Sequence, residues 1–267
     1  MYPKLLEIGP VALHTYGLFL AIAFIMGIWI TSRNARKEKI DADSIWNLGL
    51  VILCASLVGS KLLLFITDFS YYAANPREIF SLSTLRSMGV YYGGLLVAFG
   101  AAVWYAKKRR LPARRLADCI APGIALGQSI GRIGCLAAGC CYGAPANVPW
   151  AITFTSSYAA ENMGTPLYIP LHPTQIYESL GTLFLFGYLT WRLTRRHITG
   201  QIMAEYIGIY AALRFVIEFF RADERGDVFY GLLSTSQLIA IITFVAAVCF
   251  YFYLRRTNPP RVRGRDQ

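Results

Sequence analysis

Seven long apolar stretches divide this chain, at residues 13–32, 46–66, 88–106, 116–138, 174–193, 202–220 and 233–254. A hydrocarbon core about 30 Å thick needs about 20 apolar residues of helix, and each stretch meets or nearly meets that length. Little is left over to build anything else. Of the 267 residues 55% are apolar and only 15% charged, where an average soluble chain carries about 25%. The same figures exclude disorder, collagen and coiled coil. The expected fold is all-α: a polytopic membrane helix bundle with about seven transmembrane helices and a single domain over residues 1–267.

The net charge of +11 takes its meaning from where the basic residues fall. Arg33, Arg36, Lys37 and Lys39 lie in the first linker, and Lys107, Lys108, Arg109, Arg110, Arg114 and Arg115 in the third. Arg192, Arg195 and Arg196 lie at and just beyond the end of the fifth stretch, and Arg255, Arg256, Arg261, Arg263 and Arg265 follow the seventh. The other side has Lys4, Arg77, Arg86, Arg221 and Arg225, while Lys61, Arg132 and Arg214 fall inside stretches. Positive charge is retained in cytoplasmic loops, so the N-terminus is expected outside and the C-terminus inside. An odd number of spans agrees with that. The run Lys107–Arg110 then reads as a cytoplasmic loop against anionic lipid rather than a nucleic-acid patch.

Lys4 is followed by Glu7, Pro10 and an apolar run too long for a signal peptide, so the first stretch is expected to stay as a helix. No fixed-period repeat and no low-complexity linker interrupts the chain. The longer outside segments are 67–87 and 139–173. In the second, Trp150-Ala-Ile-Thr-Phe-Thr has the alternation of a short strand or an interfacial segment. It fits a lid over a membrane cavity and an inert loop equally well.

Charges inside the stretches carry the most information, because a central Arg or Lys costs about 2.5–3.5 kcal/mol to insert and needs a partner or a task. Tyr210, Arg214, Glu218 and Arg221 are spaced to share one helix face. Arg214 and Glu218 either neutralise each other or serve function. In the fourth stretch Gly123, Gly127, Gly131, Cys135, Gly139 and Gly143 recur at every fourth position, a ridge that lets a helix or a ligand approach closely. Gln128 and Arg132 share a face beside it. An arginine fork in such a setting suits a phosphate; close packing with Arg132 snorkelling outward explains the glycines but not the arginine. The fifth stretch opens with His172-Pro173, which places proline at the first helical position and His172 near the cap. His172, Gln175 and Glu178 are three apart and can converge, with Glu178 neutral or paired if buried. Tyr16 and Tyr92 stand at stretch ends, where tyrosines anchor to the interface.

Cys54, Cys119 and Cys249 read as small core residues. Cys135, Cys140 and Cys141 cluster at the outer end of the fourth stretch, as a redox pair or, with His172, a metal site. Neither Cys-x-x-Cys nor a zinc-site spacing is present, so no metal is expected.

Five blocks resemble, in order, the bacterial prolipoprotein diacylglyceryl transferase family. They are His14-Thr15-Tyr16-Gly17-Leu18, Tyr92-Gly93-Gly94-Leu95, Gly131-Arg132-Ile133-Gly134, His172-Pro173-Thr174-Gln175-Ile176-Tyr177-Glu178 and Arg214-Phe215-Val216-Ile217-Glu218-Phe219-Phe220-Arg221. The resemblance implies transfer of the diacylglyceryl group of phosphatidylglycerol to the lipobox cysteine thiol of a prolipoprotein. It implies glycerol phosphate as by-product, no metal or nucleotide cofactor, and a multi-pass protein of the bacterial plasma (inner) membrane. By the same match Arg132 resembles the lipid-binding arginine and Arg214 a second essential arginine. Tyr16, Tyr210, Glu178 and Glu218 match other important polar positions. Two departures stand out: Tyr92 occupies the place of a common histidine, and Cys135 and Cys140 replace an asparagine and an acidic residue.

The expected catalytic set is therefore Arg132, Arg214, Glu178, Glu218 and Tyr210. The expected substrate-binding set is Arg132, Tyr16, Tyr92, Gly93, Gly94, Gln128, Gly131, Gly134, His172, Gln175 and Arg221. The expected partners are phosphatidylglycerol, prolipoprotein lipobox peptides and the lipid bilayer, with no nucleic acid. Three other readings remain: a related lipid-binding transferase with a different acceptor, a membrane thiol oxidoreductase using Cys140 and Cys141, and a transporter. The last lacks the paired broken segments of inverted repeats.

Overall fold

A computed structural model describes residues 4–8, 11–81, 84, 89–221, 227–228 and 233–257. Arg86, Arg225, Arg261, Arg263 and Arg265, counted above in the charge asymmetry, lie outside the described residues. Among the described residues the long helices are α1 (Thr15–Lys37), α2 (Ala42–Thr67), α4 (Tyr91–Lys108), α5 (Ala113–Ala138), α7 (Thr174–Leu193), α8 (Gln201–Glu218) and α9 (Thr235–Thr257). Two short helices, α3 (Phe69–Ala74) and α6 (Ser157–Met163), lie in the intervening segments.

Among the described residues four helices are long and apolar enough to cross a membrane: α1, α2, α5 and α9. The other three carry polar or charged residues through their length. Glycines, tyrosines and two terminal lysines dilute α4, α7 carries Glu178 and Arg192, and α8 carries Glu205, Arg214 and Glu218. Large apolar side chains face outward at high exposure, among them Phe184 at 78%, Phe99 at 71% and Leu96 at 69%. Water would penalise that surface heavily; lipid does not. The protein is a mostly helical membrane protein.

Two boundaries differ from the sequence reading. Residues 11–14 are not helical: β2 (Val11–His14) pairs antiparallel with β1 (Lys4–Ile8), and α1 starts only at Thr15. At the far end α8 stops at Glu218, so Arg221 lies beyond the helix and is not on the Tyr210–Arg214–Glu218 stripe. The alternation after Trp150 does form a strand, β3 (Ile152–Thr153), paired with β4 (Pro170–Leu171). A further two-residue pair joins β5 (Asp227–Val228) to β6 (Leu233–Ser234).

The helices form two compact units, one of residues 35–116 and one of the residues before and after it. In the first, α2 and α4 cross at glycines. A Cβ on Gly59 would stand 2.5 Å from the Gly93 carbonyl oxygen, and one on Gly94 would stand 2.9 Å from that of Ser56. Only hydrogen fits there, and backbone-to-backbone packing is how membrane helices associate without a hydrophobic drive. Lys61, an intramembrane charge in the sequence, donates to the Thr84 carbonyl at 2.6 Å.

In the second unit the same device joins α1 to α5, where a Cβ on Gly123 would stand 2.5 Å from the Gly27 carbonyl oxygen. The core gathers Ala121 and Ala125 of α5, Leu185, Leu189 and Leu193 of α7, and Ile202 and Tyr206 of α8. Helix α8 has no side-chain cap of its own, its cap position being Gly200 at φ 96°. The buried Asp118 of α5 supplies it from across the unit, accepting from Gly200 N at 2.6 Å and Met203 N at 3.1 Å. Asp118→Ala strands two amides and is expected to cost about 2–3 kcal/mol. A thermal melt in detergent reads it as a clear drop in Tm, with Asp118→Asn falling between.

Candidate functional site

Three helices of the second unit bring the polar residues together. Arg132 of α5 and Glu178 of α7 form an ion pair, Nη2 to Oε1 at 2.8 Å, with the carboxylate side chain only 1% exposed. Tyr210 of α8 donates its hydroxyl to the same Oε1 at 3.0 Å. One turn further along α8, Arg214 pairs with Glu218 at 2.7 Å. Ser234 donates to the other Glu218 oxygen at 3.0 Å. Both arginines lie within electrostatic reach of Tyr210. Burying a charge is tolerable only when it is paired, and here each guanidinium carries its own carboxylate.

The pairing is incomplete, and the gaps are specific. Glu178 Oε2 and Arg214 Nη1 are buried without a hydrogen-bond partner. An acceptor on one pair and a donor on the other are thus left open in a water-poor interior. Such groups call for an occupant, since an unmet buried polar atom costs about 1–3 kcal/mol.

The remaining expected residues divide. Gln128 accepts from Tyr206, whose ring stacks on Tyr210 with centroids 6.0 Å apart. Gly131 has open space where a side chain would go, whereas Gly134 packs against Phe19 and Tyr16 of α1. Tyr16 lies within electrostatic reach of Arg132 and of Cys135, Cys140 and Cys141. Gln175, 1% exposed, donates to the Cys140 carbonyl at 2.8 Å and leaves its own oxygen without a hydrogen-bond partner. Tyr92, Gly93 and Gly94 belong to the other unit, where close packing on α2 accounts for the glycines.

His172 does not cap α7. The helix starts at Thr174 with Pro173 at the cap, so proline sits one place earlier than the sequence suggests. The imidazole instead meets the Tyr177 hydroxyl at 3.1 Å, which also accepts from Trp150 at 2.7 Å. His172, Gln175 and Glu178 therefore serve three separate contacts. Arg221 is held by its backbone in a bridge to Gly143, beside the Ala144 N to Phe220 O bond of 2.8 Å. Segment 139–173 is anchored throughout. Thr165 donates to Gly139 O at 2.8 Å, Thr174 to Cys141 O at 2.7 Å, and Phe154 is 1% exposed.

Cys119 is buried as expected, but Cys54 and Cys249 are exposed on their helices. An outward cysteine on an apolar helix faces hydrocarbon at no cost, which is why burial could not be inferred from its type. Sequence reasoning missed Asp118, Ser234 and Tyr206. Tyr206 was within reach, being one turn before Tyr210 on the same face.

These features define a class: a helical membrane protein with an interior ionic site, built around two arginine–carboxylate pairs with unmet polar atoms. The sequence profile of the prolipoprotein diacylglyceryl transferase family matches residues 3–253. A Clostridium tetani protein named phosphatidylglycerol–prolipoprotein diacylglyceryl transferase is 34% identical over 256 residues, covering 96% of this chain and 98% of its own. A Clostridium perfringens protein of that name, numbered 2, is 31% identical over 98% of this chain and 96% of its own. One from Dehalococcoides mccartyi is 31% identical over 95% and 94%. The chain belongs to the prolipoprotein diacylglyceryl transferase family.

Proposed function

We propose that this chain moves the diacylglyceryl group of phosphatidylglycerol to the lipobox cysteine thiol of prolipoproteins and releases glycerol phosphate. It does so as a multi-pass protein of the bacterial inner membrane, with seven spans, the N-terminus outside and the C-terminus in the cytoplasm. Family membership over nearly the whole chain, through both units, supports the reading. Such a match favours neither a thiol oxidoreductase nor a transporter. The observation that carries the chemistry is the buried Arg132–Glu178–Tyr210 triad, one turn from an arginine with a spare donor.

The reaction displaces a phosphate ester from carbon by a thiol. The phosphodiester enters with one negative charge, and the departing phosphomonoester leaves with nearly two at neutral pH. Arg214 Nη1 offers a donor to the entering phosphate, and Arg132 supplies a planar fork. The thiol must lose a proton, because the thiolate is the nucleophile. Glu178 Oε2 receives it. Protonating Glu178 cancels half of its ion pair and leaves Arg132 with net positive charge as the second negative charge develops on the phosphate. Such matched charge in a water-poor site is the strongest electrostatic help an enzyme gives. Gln128, Gly131, Gly134, Tyr16, Gln175, His172, Arg221 and Glu218 shape or support this site.

Incubating purified protein with phosphatidylglycerol and a lipobox peptide tests this by mass spectrometry. The peptide gains the mass of one diacylglyceryl group, and a Cys→Ser peptide gains none. No gain from protein that is folded and binds the lipid would overturn the transferase reading.

A further inference from the structure

The last turn of α5 and the loop after it bring together the three sulfurs that the sequence places at the outer end of the fourth stretch, without His172. Cys135 lies in that turn. The chain then reverses through Gly139 at φ 85° and Cys141 at φ 61°, both in the left-handed region. As a result the Sγ atoms of Cys135, Cys140 and Cys141 all lie within 4.8 Å of one another. Cys135 is buried and the other two are half-buried. All three are free thiols.

The loop is fixed from outside. Its Cys140 amide donates to the Cys135 carbonyl at 3.1 Å, and its Cys140 and Cys141 carbonyls accept from Gln175 and Thr174. Those two side chains are each 1% exposed. Outer hydrogen bonds of this kind hold metal ligands in place. Charge agrees as well, for the guanidiniums of Arg132 and Arg221 both act on Cys141.

We infer that Cys135, Cys140 and Cys141 form a three-thiolate site for a thiophilic divalent cation of the zinc class, whose open fourth position takes the acceptor thiol of the transfer reaction. A tetrahedral site with bonds of about 2.3 Å has sulfur–sulfur edges of about 3.8 Å, so the sulfurs need to close by about 1 Å at most, within reach of side-chain rotation. Three protein ligands with one open position is the arrangement of catalytic rather than structural zinc. Three thiolates and a divalent cation leave one net negative charge, which the neighbouring arginines offset. A thiol bound to such a cation is deprotonated outright.

This second part rests on the transferase reading. The acceptor S–H gives its proton to Glu178, and the metal-held sulfur attacks the glyceryl carbon. The C–S bond forms as the C–O bond to phosphate breaks, and that electron pair stays on glycerol phosphate. No oxidant or reductant is needed.

The test uses the full-length protein, purified in detergent and stripped of metal, with cobalt(II) as the probe. The wild type takes up one equivalent and develops thiolate-to-cobalt charge-transfer absorption. So does a chain carrying Cys54→Ala, Cys119→Ala and Cys249→Ala. Cys135→Ser, Cys140→Ser or Cys141→Ser weakens uptake at least tenfold. Absence of that absorption from the wild type overturns the site. Adding a lipobox peptide shifts the absorption, whereas a Cys→Ser peptide leaves it unchanged; equal spectra with both peptides overturn the acceptor role. Peptide lipidation by metal-free protein at the full rate overturns it too. Failure of the transferase reading looks different: cobalt binds, and phosphatidylglycerol yields no product.

Discussion

Arg132→Ala reduces diacylglyceryl transfer to a lipobox peptide by about a thousandfold, the scale set by removing one well-placed donor from a developing oxyanion. Arg132 shares Glu178 Oε1 with the Tyr210 hydroxyl, in a carboxylate that is only 1% exposed. Its loss removes the fork proposed to meet phosphate and leaves Glu178 buried without its counter-charge. That second effect threatens the fold, since breaking a buried pair from one side costs about 3–5 kcal/mol. Arg132→Lys separates the two. It keeps the charge beside Glu178, and so most of the stability, but a point charge replaces the planar fork. The lysine variant should melt near the wild type and still lose about tenfold to a hundredfold in single-turnover rate. A lysine variant at the wild-type rate would show that charge alone is enough, and an alanine variant within about tenfold would remove Arg132 from the chemistry.

How much of this was readable in advance follows from which contacts are local. The apolar stretches were readable as helices: long helices lie over all seven, and four of those, among the described residues, are long and apolar enough to cross a membrane. The Arg214–Glu218 pair was readable because its partners are one turn apart on one helix. The Arg132–Glu178 pair was half readable: a buried glutamate needs a partner, but no spacing says which of several cations on other helices it meets. Arg221 was misplaced because its spacing fits a helix that in fact ends three residues earlier. The sulfur cluster depends on a chain reversal with two positive φ angles, one at a non-glycine residue. Nothing in the residue types requires it. Exposure of Cys54 and Cys249 was misjudged for a different reason: lipid removes the penalty that makes apolar residues report the interior.

Glu178→Ala is the counterpart prediction, and its effect on stability exceeds that of any surface change. The substitution leaves Arg132 with no carboxylate, the Tyr210 hydroxyl with no acceptor, and a void at a fully enclosed position. Together these put the loss near 3–5 kcal/mol, with transfer abolished because the proton has nowhere to go. Glu178→Gln keeps the shape and an oxygen for Tyr210 while removing the charge, so it should fold better than the alanine and remain just as inactive. Combining Arg132→Ala with Glu178→Ala then discriminates a structural pair from a working one. If the two residues only neutralise each other, the double variant recovers both stability and activity relative to either single. The proposed mechanism requires that it recover stability by about 1–3 kcal/mol of coupling and regain no transfer at all. Thermal melts and single-turnover mass spectrometry on the four proteins of that cycle give the answer, and a double variant more active than either single would refute the phosphate and proton roles assigned here.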